Sequence, residues 1–153
     1  MKLLKYIIVF LIINFGALAI GNWLMANGPR TEWYINLSKA PWTPPGWVFG
    51  AAWTFIMICF SIYMAYLYKD FRSKKVAWLF AVQFILNVIW NYIFFNQYLT
   101  GLGLIVIMGL TAVISIFLYD YRHALKSKSL LIAPYFIWLC IATSLNMYIV
   151  IHN

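Results

Sequence analysis

Five long apolar segments, separated by shorter polar stretches, dominate the pattern of the chain. A helix needs roughly 20 mostly apolar residues to cross a bilayer, and lipid offers the backbone no hydrogen-bonding partner outside the segment. The pattern therefore predicts an all-α membrane protein, a five-transmembrane-helix bundle that forms a single domain over residues 1–153. The predicted spans are about 6–25, 48–68, 76–95, 102–119 and 130–151.

The first segment has two interpretations. Lys2 and Lys5 precede an apolar run that contains a small-residue site at 17–19, which resembles a secretory signal peptide. The apolar run continues beyond that site to Met25. This continuation favours a retained first helix.

Composition supports the membrane assignment. Hydrophobic residues make up 65% of the chain and charged residues 9%, whereas soluble domains average about 45–50% and about 25%. These values exclude a soluble domain and a nucleic-acid-binding module. The protein is therefore predicted to be a multi-pass protein of the cell membrane, with the lipid bilayer as a partner and no nucleic acid.

The net charge of +8 predicts an orientation, because basic loops stay on the cytoplasmic side. Only Arg30 and Lys39 lie on one side of the predicted bundle. The N-terminus is therefore predicted to be inside and the C-terminus outside. The other nine of the 11 basic residues share the opposite side: Lys2, Lys5, Lys69, Arg72, Lys74, Lys75, Arg122, Lys126 and Lys128.

The connection at about 26–47 is long and rich in tryptophan and proline. Long connections in compact domains are usually functional or disordered, and Trp33, Trp42 and Trp47 argue against disorder. We interpret it as an ordered cover over the outer end of the bundle; the alternative is an interfacial aromatic belt. Thr43 is a candidate cap for the second helix.

Groups for acid–base or metal chemistry are absent from the predicted spans. Glu32, Asp70 and Asp120 lie in loops or at helix ends, which argues against a proton-coupled carrier or pump. No metal site is predicted. Cys59 and Cys140 lie in apolar runs and are predicted to be buried small hydrophobes.

The third segment carries a polar stripe. Gln83, Asn87 and Asn91 are spaced by four and so share one helix face, with Trp90 beside it. An amide that faces lipid is costly, so the stripe is predicted to face the bundle interior.

The fifth segment places Trp138, Ala142 and Leu145 on one face, with Asn146 close to it. Two interpretations of these polar and aromatic positions stay open. The amides either only join helices or orient a large apolar ligand in a pocket.

Three groups of residues together resemble the translocator proteins, also called tryptophan-rich sensory proteins or peripheral benzodiazepine receptors. The resemblance covers essentially the whole chain. The first and fourth segments match only in hydropathy. The matching residues are Trp33-Tyr34, Leu37, Lys39, Trp42-Thr43-Pro44-Pro45, Trp47, Gly50 and Trp53; Leu86-Asn87, Trp90 and Phe94-Phe95; and Pro134-Tyr135, Trp138, Ala142-Thr143 and Leu145-Asn146.

This resemblance implies a five-helix bundle that binds porphyrins and, in animal members, sterols and benzodiazepine-type drugs. Tyr148 is followed by no Lys or Arg, so the sterol motif of animal members is incomplete here. The ligand-binding candidates are Trp33, Trp42, Trp53, Asn87, Trp90, Trp138, Ala142, Leu145 and Asn146.

Three functions follow as expectations. The first is a membrane receptor or sensor for protoporphyrin IX, a tetrapyrrole held as a ligand, and for drug-like aromatic ligands, with no tightly bound cofactor. The second is an enzyme that degrades the porphyrin in light and oxygen, with Trp53 and Trp138 as catalytic residues. The third is a transporter of porphyrin or other apolar ligands. A homodimer is expected in each case.

Overall fold

The computed structural model describes all of residues 1–153 and contains helices but no strands. Shorter helical turns lie at Gly28–Arg30, Tyr92–Asn96 and Lys126–Ile132. The prediction of an all-α protein is confirmed. The longer elements are α1 (Lys2–Leu24), α3 (Gly46–Phe71), α4 (Lys74–Asn91), α5 (Thr100–Leu125) and α6 (Ala133–His152), with the short α2 (Glu32–Ile35) inside the first connection.

Four stretches of the structure are long and apolar enough to cross a membrane. They are Lys2–Arg30, Gly46–Phe71, Lys74–Asn96 and Thr100–His152. The last stretch has 53 residues and contains both α5 and α6. The structure therefore supports a membrane protein, while the count of five crossings and the orientation of the termini stay predictions.

Two local predictions are wrong. Thr43 does not cap α3, because its hydroxyl donates to the Ala40 carbonyl oxygen at 2.7 Å and the chain stays extended through Pro45 before α3 begins. Cys140 is exposed rather than buried. It lies on the outward face of α6 together with the exposed Ile137, a face that lipid covers in a membrane.

The bundle has two ends of different character. We call the end that carries residues 25–45 the loop end, and the opposite end, with the nine clustered basic residues, the basic end. Large side chains fill the half near the basic end: Phe60, Tyr63, Phe117 and Tyr135 are all fully buried. The ring centroids of Phe60 and Tyr135 lie 5.1 Å apart, so this half of the bundle is closely packed.

The polar stripe of α4 faces the interior, as predicted. Gln83 and Asn87 are buried. The Tyr135 hydroxyl donates to Gln83 Oε1 at 3.0 Å and accepts from Asn87 Nδ2 at 3.2 Å. These bonds join α4 to α6 and satisfy polar atoms that would be costly to leave unpaired in an apolar interior.

The predicted orientation can be measured with reporter fusions. A reporter attached after Asn153 should lie outside the cytoplasm, and one inserted between Lys69 and Lys75 should lie inside, because the nine basic residues keep their end cytoplasmic. A periplasm-active enzyme and a cytoplasm-active fluorescent protein at each position give opposite signals. Reporters on the same side at both positions would contradict the five-span arrangement.

Candidate ligand-binding site

The half of the bundle near the loop end encloses a cavity of about 990 Å³. All five long helices and the first connection contribute to its lining. Small-molecule pockets usually measure about 300–1,000 Å³. The volume therefore fits a large ligand rather than a metabolite of a few atoms.

Seven of the nine predicted ligand-binding residues line this cavity. They come from three helices that are distant in sequence, so the fold brings the predicted candidates together. They are Trp53 on α3, Asn87 and Trp90 on α4, and Trp138, Ala142, Leu145 and Asn146 on α6.

Hydrogen bonds hold one aromatic wall in place. The Trp90 indole nitrogen donates to Asn146 Oδ1 at 3.1 Å, and Asn146 Nδ2 donates to the Thr100 carbonyl oxygen at 2.9 Å. The Trp90 ring also stacks on Phe94, with centroids 5.0 Å apart. Because both ends of the Asn146 amide are occupied, the Trp90 ring is fixed before any ligand arrives.

A second wall contains an unpaired donor. Trp138 packs edge-to-face against Phe49 with ring centroids 5.4 Å apart, and Trp53 does the same against Tyr135 at 5.8 Å. Trp138 is only 8% exposed, and its indole nitrogen has no hydrogen-bond partner in the protein. A buried unpaired donor costs about 1–3 kcal/mol. An acceptor atom on a ligand or a water molecule at this wall would recover that cost.

The cavity lining carries two cations and no acid. Arg30 and Lys39 both contribute to it from the first connection. Lys39 Nζ donates to the Ile35 carbonyl oxygen at 3.1 Å and lies 4.6 Å from the centre of the Tyr34 ring. Burial raises the pKa of the Tyr34 phenol, so Tyr34 stays neutral and the lysine charge is not cancelled. The loop side of the cavity is therefore positive.

Comparison with known proteins identifies the family. The model of the TspO/MBR family matches residues 8–152. The chain belongs to the TspO/MBR family. It is 34% identical to the tryptophan-rich protein TspO of Archaeoglobus fulgidus, over 100% of this chain and 97% of that protein. It is 30% identical to the tryptophan-rich sensory protein of Cereibacter sphaeroides, over 75% and 73% of the two chains.

An animal relative is also similar. The translocator protein of Homo sapiens is 27% identical over 78% of this chain and 74% of its own length. The resemblance inferred from sequence motifs is thus confirmed, and this TspO/MBR-family chain is a multi-pass membrane protein.

Two predicted ligand contacts of this TspO/MBR-family protein lie outside the cavity lining. Trp33 stacks on Tyr98 with centroids 4.3 Å apart. The Trp42 indole nitrogen donates to Ser144 Oγ at 3.1 Å, and its ring packs against Tyr148 at 5.6 Å. Both tryptophans attach the first connection to the bundle, which agrees with an ordered cover.

Sequence reasoning missed part of the lining of the TspO/MBR cavity. Arg30 and Lys39 were not predicted as ligand contacts, although two isolated cations in a tryptophan-rich loop were a signal for an anionic ligand. Gly46, Gly50 and Thr54 also line the cavity. Because they are spaced by four residues, they lie on one face of α3. The sequence shows this spacing, but it does not show that the face lines a cavity.

Proposed function

We propose that this TspO/MBR-family protein is a membrane receptor for tetrapyrroles such as protoporphyrin IX, which combine a flat apolar body with acidic groups. One observation carries the proposal: a large aromatic cavity whose only charged lining groups are Arg30 and Lys39. The apolar walls suit the macrocycle, and the two cations suit its carboxylates.

The placement of the cations favours a defined ligand orientation. Arg30 is exposed and Lys39 is half-buried, and both belong to the connection that covers the loop end. No acidic side chain forms an ion pair with either of them, since the ion pairs of the structure involve Lys69 and Lys75. Carboxylates placed here stay near water, while the macrocycle lies deeper between the tryptophan walls. This arrangement avoids the cost of burying a charge without a partner.

Binding is favoured over transport, the alternative function. A transported ligand needs a path through the half of the bundle near the basic end. Phe60, Tyr63 and Phe117 are fully buried there, and the Tyr63 hydroxyl bonds to the Phe117 carbonyl oxygen at 3.1 Å. Opening such a path would disrupt the close packing of these buried side chains.

Benzodiazepine-type ligands fit the same proposal with one difference. They are flat and aromatic but carry no carboxylate, so they would occupy the tryptophan walls without using Arg30 and Lys39. Charge recognition therefore separates the two ligand classes.

Titration of purified protein in the dark tests the proposal. Protoporphyrin IX and its dimethyl ester are compared through the shift of porphyrin absorbance and the quenching of tryptophan fluorescence. We expect wild-type protein to bind both and to prefer the diacid. Replacement of Arg30 and Lys39 together by glutamine should weaken diacid binding at least about tenfold and leave ester binding unchanged. The absence of any absorbance shift with wild-type protein would refute the proposed function.

We also propose that the protein forms a homodimer. Gly101 and Ala112 on α5 are exposed small residues, and small residues let membrane helices approach closely. The cavity is lined by one chain alone, so ligand binding in this proposal does not depend on the dimer.

A further inference from the structure

We propose that Asn153, which directly follows α6, is a positioning residue for Lys39 and thereby sets the preference of the cavity for dicarboxylic over neutral tetrapyrroles. Lys39 lines the cavity, whereas Asn153 does not. Asn153 therefore acts on the ligand only through Lys39, by fixing the backbone that carries its ammonium group. The inference rests on the proposed function, because it concerns the recognition of the carboxylates of the same ligand.

The Asn153 side chain uses both ends of its amide on the backbone of Ser38. Asn153 Oδ1 accepts the N–H of Ser38 at 2.9 Å, and Asn153 Nδ2 donates to the Ser38 carbonyl oxygen at 3.1 Å. Nδ2 also donates to the Ile149 carbonyl oxygen, in the last turn of α6, at 2.9 Å. Because hydrogen bonds are directional, two bonds to one residue fix its orientation as well as its position.

This contact reaches Lys39 through a single peptide group. The Ser38 carbonyl belongs to the same planar unit as the nitrogen and Cα atom of Lys39, so a bond that fixes the carbonyl also fixes the point from which the lysine side chain starts. The far end of that side chain donates to the Ile35 carbonyl oxygen at 3.1 Å. A lysine side chain is long and flexible, and here both of its ends are held.

A second anchor lies three residues after Lys39. The Trp42 indole nitrogen donates to Ser144 Oγ at 3.1 Å, and the Trp42 ring packs edge-to-face against Tyr148 with centroids 5.6 Å apart. Ser144 and Tyr148 are four residues apart and so share one face of α6. The segment 38–42 is therefore attached to α6 at both of its ends, and Lys39 lies between the two anchors.

Arg30, the other cation of the cavity, is held differently. It belongs to the short turn Gly28–Arg30, and its N–H donates to the Asn27 carbonyl oxygen at 2.9 Å. The next residue, Thr31, donates its hydroxyl to a carbonyl oxygen of the same turn at 2.9 Å. Neither bond involves α6. Loss of the Asn153 contact should therefore displace one of the two cations and leave the other in place.

Displacement of Lys39 should affect charged ligands selectively. The attraction between two charges falls with their distance, and an ammonium group without a fixed place also spends more time in water, where the attraction is weaker. A tetrapyrrole ester carries no charge and contacts only the aromatic walls, which are held by their own packing and hydrogen bonds. We therefore expect Asn153 to change the ratio of the two affinities rather than both affinities equally.

Asn153→Ala tests this assignment. The substitution removes all three side-chain bonds, and Asn153 is exposed, so folding should be retained. Titrations in the dark with protoporphyrin IX and with its dimethyl ester give the ratio of the two Kd values. We expect the diacid Kd to rise at least about threefold and the ester Kd to change less than about twofold. Asn36→Ala is the matched control: Asn36 is an exposed asparagine of the same connection that does not line the cavity, and this variant should keep the wild-type ratio.

A double-mutant cycle separates positioning of Lys39 from a general role in holding the first connection. In a Lys39→Gln background, Asn153→Ala should have no further effect on diacid binding, because the charge that it positions is gone. The same loss of diacid affinity in that background would overturn the assignment. An unchanged ratio in Asn153→Ala, through equal weakening of both ligands or through no effect on either, would also overturn it and leave the proposed function intact. If wild-type protein binds neither porphyrin, the proposed function itself fails.

Discussion

Replacement of Ala142 by phenylalanine is expected to weaken protoporphyrin IX binding at least about tenfold, or about 1.4 kcal/mol. Ala142 lines the cavity on the α6 face that also carries Trp138 and Leu145. It is the only small side chain among these three, so a phenyl ring there would occupy space that the macrocycle needs. The measurement is a porphyrin titration of the purified variant, with circular dichroism and thermal unfolding to verify the fold.

The chain offers a matched control and a graded comparison. Ala19→Phe adds the same ring at an exposed position of α1 that does not line the cavity, and it should bind normally. Asn87→Leu should weaken porphyrin binding less, by about 0.5–1.5 kcal/mol, which is the contribution of a single hydrogen bond. The rest of the network remains, because Tyr135 keeps its bond to Gln83. Normal porphyrin binding by Ala142→Phe would show that the α6 face is misassigned.

Much of the cavity wall was predictable from helical periodicity. Gln83, Asn87 and Asn91 repeat every four residues, and an amide stripe in an apolar helix has to face inward. The structure confirms this for Gln83 and Asn87, which are buried. It also supplies what a single segment cannot show: the partner of both amides is Tyr135, on a helix about 50 residues further along the chain.

The loop residues show where sequence reasoning fails. Trp33 and Trp42 have the residue type of ligand contacts, but their side-chain directions depend on Tyr98 and Ser144, which lie far away in sequence. Helix periodicity gives no direction for a side chain in an irregular connection. The cavity role of Lys39 was hidden for the same reason, because the short helix α2 positions its ammonium group through the Ile35 carbonyl oxygen.

The cavity lining limits the chemistry that the protein itself can supply. It contains no acidic residue, histidine or cysteine, and its titratable side chains, Arg30, Tyr34 and Lys39, all lie on the loop side. A porphyrin brings light-driven chemistry of its own, and the protein would then supply orientation and nearby reactive groups. The electron-rich groups in this lining are the indoles of Trp53, Trp90 and Trp138. Trp53 and Trp138, the catalytic residues predicted from the sequence, are the proposed reactive pair.

Illumination of the protoporphyrin IX complex in oxygen is expected to yield a new absorbing product that requires these two indoles. Trp53→Phe and Trp138→Phe should each retain binding within about 0.5–1.5 kcal/mol of wild type, because an aromatic face remains at the wall. Both variants should lose the product, since phenylalanine is much harder to oxidise than tryptophan. Trp78→Phe is the control, because Trp78 is 70% exposed and does not line the cavity.

Product formation is followed by absorbance under constant illumination, with and without oxygen, and is compared with free porphyrin in detergent. Oxygen-dependent product in wild type and Trp78→Phe, but not in the two cavity variants, would establish photo-oxidative degradation by the protein. Wild-type rates in both cavity variants, or an equally fast reaction of free porphyrin, would assign the light chemistry to the ligand alone. The edge-to-face contact of Trp53 with Tyr135, at 5.8 Å, would then be packing, and the protein would act as a receptor without turnover.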